Sequence, residues 1–265
     1  MIKVFESESR FDAWLNATEY LITNKKELNV ILSISNPLKN EPNQKLLDRA
    51  VDQYLIRNRG FTMHTIAETI FPGWLYRRYG SRGVYEIYQD LYPLIRRSPA
   101  IKWGTYAQRL SQPIEMSGVQ ISPLAKLIEK LKLQSRLAKG GKKQSCYEIS
   151  LADPALEIPI HSNGNDSTRF MGGPCLSHLS FKLHEGTIHL SAIYRSHDYE
   201  LKVLGNLLGL TRLMAFVSEE TGIHVGSLVV HSTYAWIRRK QSVTDLIQEL
   251  KTTRASNAIR SELVN

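Results

Sequence analysis

The 265 residues contain two cysteines, Cys146 and Cys175. These are too few for a disulfide framework or a thiolate zinc site, so each has to be explained singly. Cys175 stands in MGGPCLSH, where two glycines and a proline lead into a strand-like run. Backbone shape in such a setting can present a thiol at an edge. A thiolate there could act as a nucleophile; the competing use is a small buried hydrophobe. Twenty residues on comes Arg195-Ser196-His197-Asp198, and Asn206 then interrupts an apolar run. A guanidinium offers planar paired donors suited to phosphate, and a hydroxyl adds another. An amide can both donate to and accept from the edge of a heterocyclic base. The same residues could instead form a structural network, with Arg195 pairing Asp198 and Asn206 bonding nearby backbone. His161, His178, His184, His189, His197, His224 and His231 are scattered without metal-ligand spacing, and no metal is expected. Trp14, Trp74, Trp103 and Trp236 could stack on a base, although core packing is the commoner use of tryptophan.

Elements of regular periodicity must hold these residues in place. Apolar spacing from Ser9 to Thr23 predicts a first helix capped by serine. LNVILSIS, closed by Asn36-Pro37, reads as a strand and turn. Helices are expected over Asn43 to Arg57, over Met63 to Phe71 before Pro72, and from about Gly83 to Arg97. PLAKLIEKLKL after Ser122 places a proline just inside a helix start, and the basic loop LAKGGKKQ ends it. CYEISL reads as a strand, and LSFKLHEGTIHLSAIY as a hairpin about Glu185-Gly186. Leu201 to Val217 is apolar enough to be a buried helix, followed by a strand, VGSLVVHST, and a helix from about Val243 to Arg254. The expected class is α/β (α+β), with one main mixed sheet packed around a long buried helix and flanking helices.

Hydrophobic residues make up 42% of the chain and charged ones 22%, ordinary globular usage that argues against disorder. No apolar run reaches the roughly 18 to 20 residues of a membrane span, and MIKVFESESR has no stretch of signal-peptide length, so a cytoplasmic location is expected. A net charge of +9 favours anionic partners. The basic residues fall in short groups such as Arg96-Arg97 and Lys142-Lys143 rather than one long arm. That pattern points to small phosphorylated ligands over nucleic acid.

Pro174-Cys175, the Gly186 turn, Arg195-Ser196-His197-Asp198 and Asn206 align without a gap with the pattern of the thymidylate synthase and deoxycytidylate hydroxymethylase family, which the chain resembles as a divergent member. HTIAETIF is similar to the family helix that carries its catalytic glutamate, here Glu68, and AIKWGTYAQR to a segment in which Trp103 replaces the usual tyrosine. The resemblance implies a single thymidylate-synthase-like domain over 1–265. Residues 63–240 form its best-matching core, 1–62 a divergent N-terminal part and 241–265 a divergent C-terminal helix. It further implies a homodimer in which Cys175 attacks carbon 6 of a pyrimidine nucleotide monophosphate, with methylation or hydroxymethylation at carbon 5. Glu68 would move protons. Arg195 and Ser196 would hold phosphate, with Lys142 and Lys143 reaching across the dimer to complete the clamp. Asn206 would read the base, uracil rather than cytosine, and Asp198 would order water. The one-carbon donor would be 5,10-methylenetetrahydrofolate. The chain departs from the pattern at Leu176, where the family has histidine, at Trp236 and Arg238, where it contacts the sugar, and in its C-terminal tail. Those departures admit an alternative, a relative that binds nucleotide as a sensor or interaction protein.

Overall fold

The computed structural model describes residues 2–98, 101, 104–116, 118–137, 143–151 and 175–262, the side chains of Met116 and 257–262 excepted. Trp103, Lys142, His161 and Pro174 lie outside the described residues.

The chain opens with strand β1 (Lys3–Ser7) and helix α1 (Arg10–Asn24). Ser9 caps α1 by accepting a bond from the Asp12 N–H at 3.1 Å, which satisfies one of the backbone donors a helix start leaves free. Strand β2 (Lys26–Ile34) and helices α2 (Gln44–Arg57), α3 (Met63–Glu68) and α4 (Gly73–Tyr79) follow. A π-helical turn over Gly83–Ile87 feeds α5 (Tyr88–Ile95), where the sequence predicts one continuous helix. Next come α6 (Tyr106–Ser111), a small hairpin of β3 (Ile114–Met116) and β4 (Val119–Ile121), and α7 (Pro123–Ser135) capped by Ser122. The final part runs β5 (Glu148–Ser150), β6 (Leu176–His184), β7 (Thr187–Tyr194), β8 (His197–Asp198), α8 (Val203–Thr221), β9 (His224–Trp236) and α9 (Lys240–Glu262).

The main sheet has the order β1-β2-β9-β7-β6-β5, with β8 on the end of β9. It is mixed: β1 with β2 and β9 with β7 are parallel, and the remaining neighbours along the order are antiparallel. The expected class, α/β with one main mixed sheet around a buried helix, is therefore observed. Helix α8 is that helix, with Leu207, Leu210, Leu213, Met214 and Val217 fully enclosed. Its approach to α3 depends on two small residues. A Cβ on Gly205 would lie 2.7 Å from Ile66, and one on Gly209 2.8 Å from Ile70. The two helices thus touch backbone to side chain, which sets Asn206 beside α3. Most buried apolar residues from Phe11 to Leu250 join in one cluster, and Leu75, Tyr88 and Ala107 form a second. Among the described residues no helix is long and apolar enough to cross a membrane.

The sequence reading missed β1, α4, α6 and the β3-β4 hairpin. Each is three to seven residues long, too short to develop a period of its own. Strand β1 exists because it pairs with β2 from Lys3↔Val30 to Ser7↔Ile34.

Candidate active site

The β6-β7 hairpin converts sequence spacing into proximity. Glu185 (φ 47°) and Gly186 (φ 79°) both adopt the left-handed conformation, the requirement of a two-residue hairpin turn whose twist matches the strands. The arms pair from His184↔Thr187 to His178↔Ile193, and a bulge after His178 shifts the register to Leu176↔Tyr194. At the far end the Arg195 N–H donates to the Cys175 carbonyl at 2.9 Å. Cys175 and Arg195 therefore sit on facing chain ends. Strand β8 then lies along β9, His197 opposite Ala235 and Asp198 opposite Trp236, and α8 returns beneath it.

These elements enclose a cavity of about 520 Å³, within the range of small-molecule sites. Its lining includes Cys175, Ser196, His197, Asp198, Lys202, Asn206, Trp236 and Arg238. Phe61, Thr65, Ile66, Thr69, Ile101 and Tyr106 also line it. Of the residues singled out in the sequence, Cys175, Ser196, Asp198, Asn206 and Trp236 are brought together here. Arg195 is exposed beside the cavity, outside its lining.

Cys175 is held by a contact the sequence reading did not assign. The Tyr106 hydroxyl accepts the N–H groups of both Cys175 (2.9 Å) and Leu176 (3.1 Å), so one phenol oxygen pins the entry to β6. Burial pushes the Cys175 thiol above its ordinary value; Arg195 and Lys202 pull it down and Asp198 adds to the rise. Desolvation thus outweighs the nearby positive charge. Lys202 stands at the cavity mouth with its ammonium 5.2 Å from the centre of the Phe61 ring. Desolvation lowers its pKa, and Asp198 and Cys175 partly restore it.

Asp198 is buried, and its Oδ1 accepts the N–H groups of Glu200 and Leu201, each at 3.1 Å. Desolvation raises its pKa against the pull of those bonds and of Arg238. The Trp236 indole N–H donates to the Ser196 hydroxyl at 3.1 Å, and the Arg238 guanidinium lies 4.7 Å from the centre of the Trp236 ring. The cation and the ring thus form one wall. Asn206 bonds not to nearby backbone through its side chain but to His197, Nδ2 to Nε2 at 3.0 Å.

Glu68 is placed differently from its neighbours on α3. Its carboxylate accepts from Arg212 Nη1 at 2.9 Å and from the Trp74 N–H at 3.2 Å, and it is not part of the described cavity lining. Arg212 also contacts His64. Lys143 uses its backbone N–H to donate to the Gln134 side chain at 2.8 Å, again away from the cavity. Among the described residues no group of three His, Cys, Asp or Glu is set to hold a metal ion. The sequence reading missed Tyr106, Lys202 and Phe61 as parts of the site. Tyr106 alone carried a usable signal, its place in the quoted segment AIKWGTYAQR.

No family model matches the chain. Curated relatives named "Putative thymidylate synthase" do. That of Methanothermobacter thermautotrophicus is 36% identical over 94 residues, 36% of this chain and 40% of the relative. That of Methanococcoides burtonii is 34% identical over 64 residues, 24% of this chain and 30% of the relative. The match thus spans about a third of the length of such relatives. A longer alignment, 24% identical over 218 residues and covering 81% of this chain and 76% of the relative, joins it to the protein of Methanocaldococcus jannaschii. The fold matches thermostable thymidylate synthase A from Bacillus subtilis with a TM-score of 0.54 at 12% identity, over 92% of this chain and 84% of that one. The chain thus has a thymidylate-synthase-like fold and is, in sequence, a divergent relative of proteins named "Putative thymidylate synthase".

Proposed function

We propose that this protein is a nucleotide-modifying transferase that adds the Cys175 thiolate to carbon 6 of a pyrimidine nucleotide monophosphate, uracil being the favoured base, and alkylates carbon 5. The observation that carries the reading is the convergence of Cys175, Ser196, Asp198, Asn206 and Trp236 on one cavity. Deprotonated Cys175 forms the sulfur–carbon 6 bond, and the ring π electrons shift through carbon 5 onto the carbonyl oxygen at carbon 4. Carbon 5 then bonds to a formaldehyde-level one-carbon unit and loses its proton. The unit's bond to its donor would break with the electron pair leaving on the donor, and water would complete a hydroxymethyl group or a hydride from the donor a methyl group. Elimination returns the pair to sulfur. Arg195 and Ser196 are assigned the 5′-phosphate, with Lys142 and Lys143 from a second copy in a homodimer, and Asn206 the base edge. Asp198 is assigned an ordered water. Glu68 is assigned the proton transfers, through water, from its seat on the cavity-lining helix.

The apolar lining residues Phe61, Ile66 and Ile101, together with the Trp236 ring, suit a flat aromatic ring lying over the base. Those residues would hold the pterin of 5,10-methylenetetrahydrofolate, which supplies the one-carbon unit when bound. Trp103 is proposed as a further stacking residue.

One observation favours a second reading, a nucleotide-binding protein without the transfer step: Glu68 is engaged by Arg212 rather than open to the cavity. The two readings separate on uridine and deoxyuridine monophosphates tritiated at carbon 5, mixed with the protein with and without methylenetetrahydrofolate. Catalysis releases tritium to water, and Cys175→Ala abolishes release. Binding without release from any pyrimidine nucleotide supports the sensor reading and removes the enzyme.

A further inference from the structure

His197 has no assigned part in the chemistry above, yet it is the buried residue that touches the base-reading amide. Its ring is enclosed, stacked 3.8 Å from Tyr194 at 7° between planes and meeting Tyr199 edge-on at 5.6 Å. A ring held on both sides cannot swing. Both its nitrogens are committed, Nε2 to Asn206 Nδ2 at 3.0 Å and Nδ1 to the Ser232 hydroxyl at 2.9 Å. An amide nitrogen only donates, so Nε2 is the acceptor. The neutral imidazole then carries its single proton on Nδ1 and donates it to Ser232 Oγ. Burial keeps the ring neutral.

The consequence falls on Asn206. One amide N–H is spent on His197, which leaves the second N–H and the oxygen as a donor–acceptor pair for the cavity that Asn206 lines. A pyrimidine with a ring N–H at position 3 and a carbonyl at carbon 4 presents the complement. A 4-amino pyrimidine presents the reverse, an acceptor at position 3 and a donor at carbon 4. To accept it the amide would have to turn over, setting its oxygen against the Nε2 lone pair. We infer that His197, oriented by Ser232 and clamped by Tyr194, locks the Asn206 amide in one orientation and is the positioning residue that makes the site select the 4-oxo over the 4-amino pyrimidine.

This inference rests on the assignment of a pyrimidine nucleotide to the cavity, and its test separates the two. Dissociation constants for uridine and cytidine 5′-monophosphates and their 2′-deoxy forms are measured for the wild type, Ser232→Ala and His197→Phe. The wild type is expected to prefer uracil by roughly tenfold or more, and both variants by less than about threefold. Nitrogen NMR of the wild-type imidazole should show the proton on Nδ1. Ser232→Ala removes only a hydroxyl, so it remains informative where His197→Phe folds poorly. An unchanged uracil preference in Ser232→Ala, a wild type without preference, or a proton on Nε2 overturns the inference. Selective binding with no tritium release leaves it standing and removes the catalytic reading. A protein that binds no pyrimidine nucleotide overturns both.

Discussion

The Cys175 thiol sits between opposing influences, burial and Asp198 on one side and Arg195 and Lys202 on the other. Because desolvation dominates, the resting group is a thiol at neutral pH, and in the proposed reaction it must give up its proton before sulfur attacks carbon 6. The rate of iodoacetamide alkylation should therefore reach its half-maximum above the pH of an ordinary cysteine, about 8.5. Arg195→Ala should move that midpoint higher still, since it removes the larger of the two favourable charges. A midpoint below that of free cysteine would contradict the account. At this scale the sequence was informative where type and spacing both mattered: Cys175, Arg195, Ser196 and Asn206 stand out because a nucleophile, a cation, a hydroxyl and an amide recur in a fixed register. Tyr106 lies in the segment AIKWGTYAQR, but its task was not legible. It works through an oxygen that accepts two backbone N–H groups, a role that the residue type alone does not mark. His197 was visible within Arg195-Ser196-His197-Asp198, but its importance lies in partners 9 and 35 residues away.

Helices α3 and α8 decide how wide the cavity is, because α3 supplies one wall and α8 carries Asn206. Their separation is fixed by Gly205 and Gly209, each with less than 3.0 Å between an added Cβ and an isoleucine of the α3 region. Gly209→Ala should force Ile70 and Ala67 aside and destabilise the fold by about 1–3 kcal/mol, as overpacking does elsewhere. A lowered denaturation midpoint with an unchanged slope is the expected reading. Gly205→Ala should in addition weaken nucleotide binding, since its neighbour Ile66 lines the cavity. Long periodic elements such as α2, α7 and α8 were legible from apolar spacing, as was the hairpin from its Glu185-Gly186 turn. What escaped were pieces that lean on a distant partner, β1 on β2 and α6 on α7 and on Cys175 and Leu176 at the start of β6. The extension of the last strand to Trp236 was also hidden, because Tyr234 to Trp236 gain strand form by pairing with β2 from Lys26 to Leu28 on one side and, at Ala235 and Trp236, with β8 on the other.

Across the whole molecule, burial of a neutral histidine links the site to folding. The His197 pKa is pushed down from 6.5 to about 3 by desolvation. The unfolded chain takes up a proton below 6.5 that the folded chain refuses until about 3. Stability is thus complete above 6.5 and is lost as pH falls through that window, by at most about 1.4 kcal/mol per unit. Glu148 and Glu200, whose pKa values lie below 4.5, act further into acid. Urea unfolding should show declining stability between pH 6.5 and 5, and His197→Phe should flatten that slope. A wild-type profile level over that range would count against a neutral, enclosed ring. The hairpin imposes a different kind of constraint. Its two arms keep step from the turn to the bulge, so the interval between Cys175 and Arg195 records an arm length rather than a motif. Related chains can lengthen this span at the tip in matched pairs of residues, one on each arm. A single inserted residue would need a second bulge to absorb it. Gaps in an alignment of such chains should therefore come in even numbers inside the hairpin, while outside it their length is free.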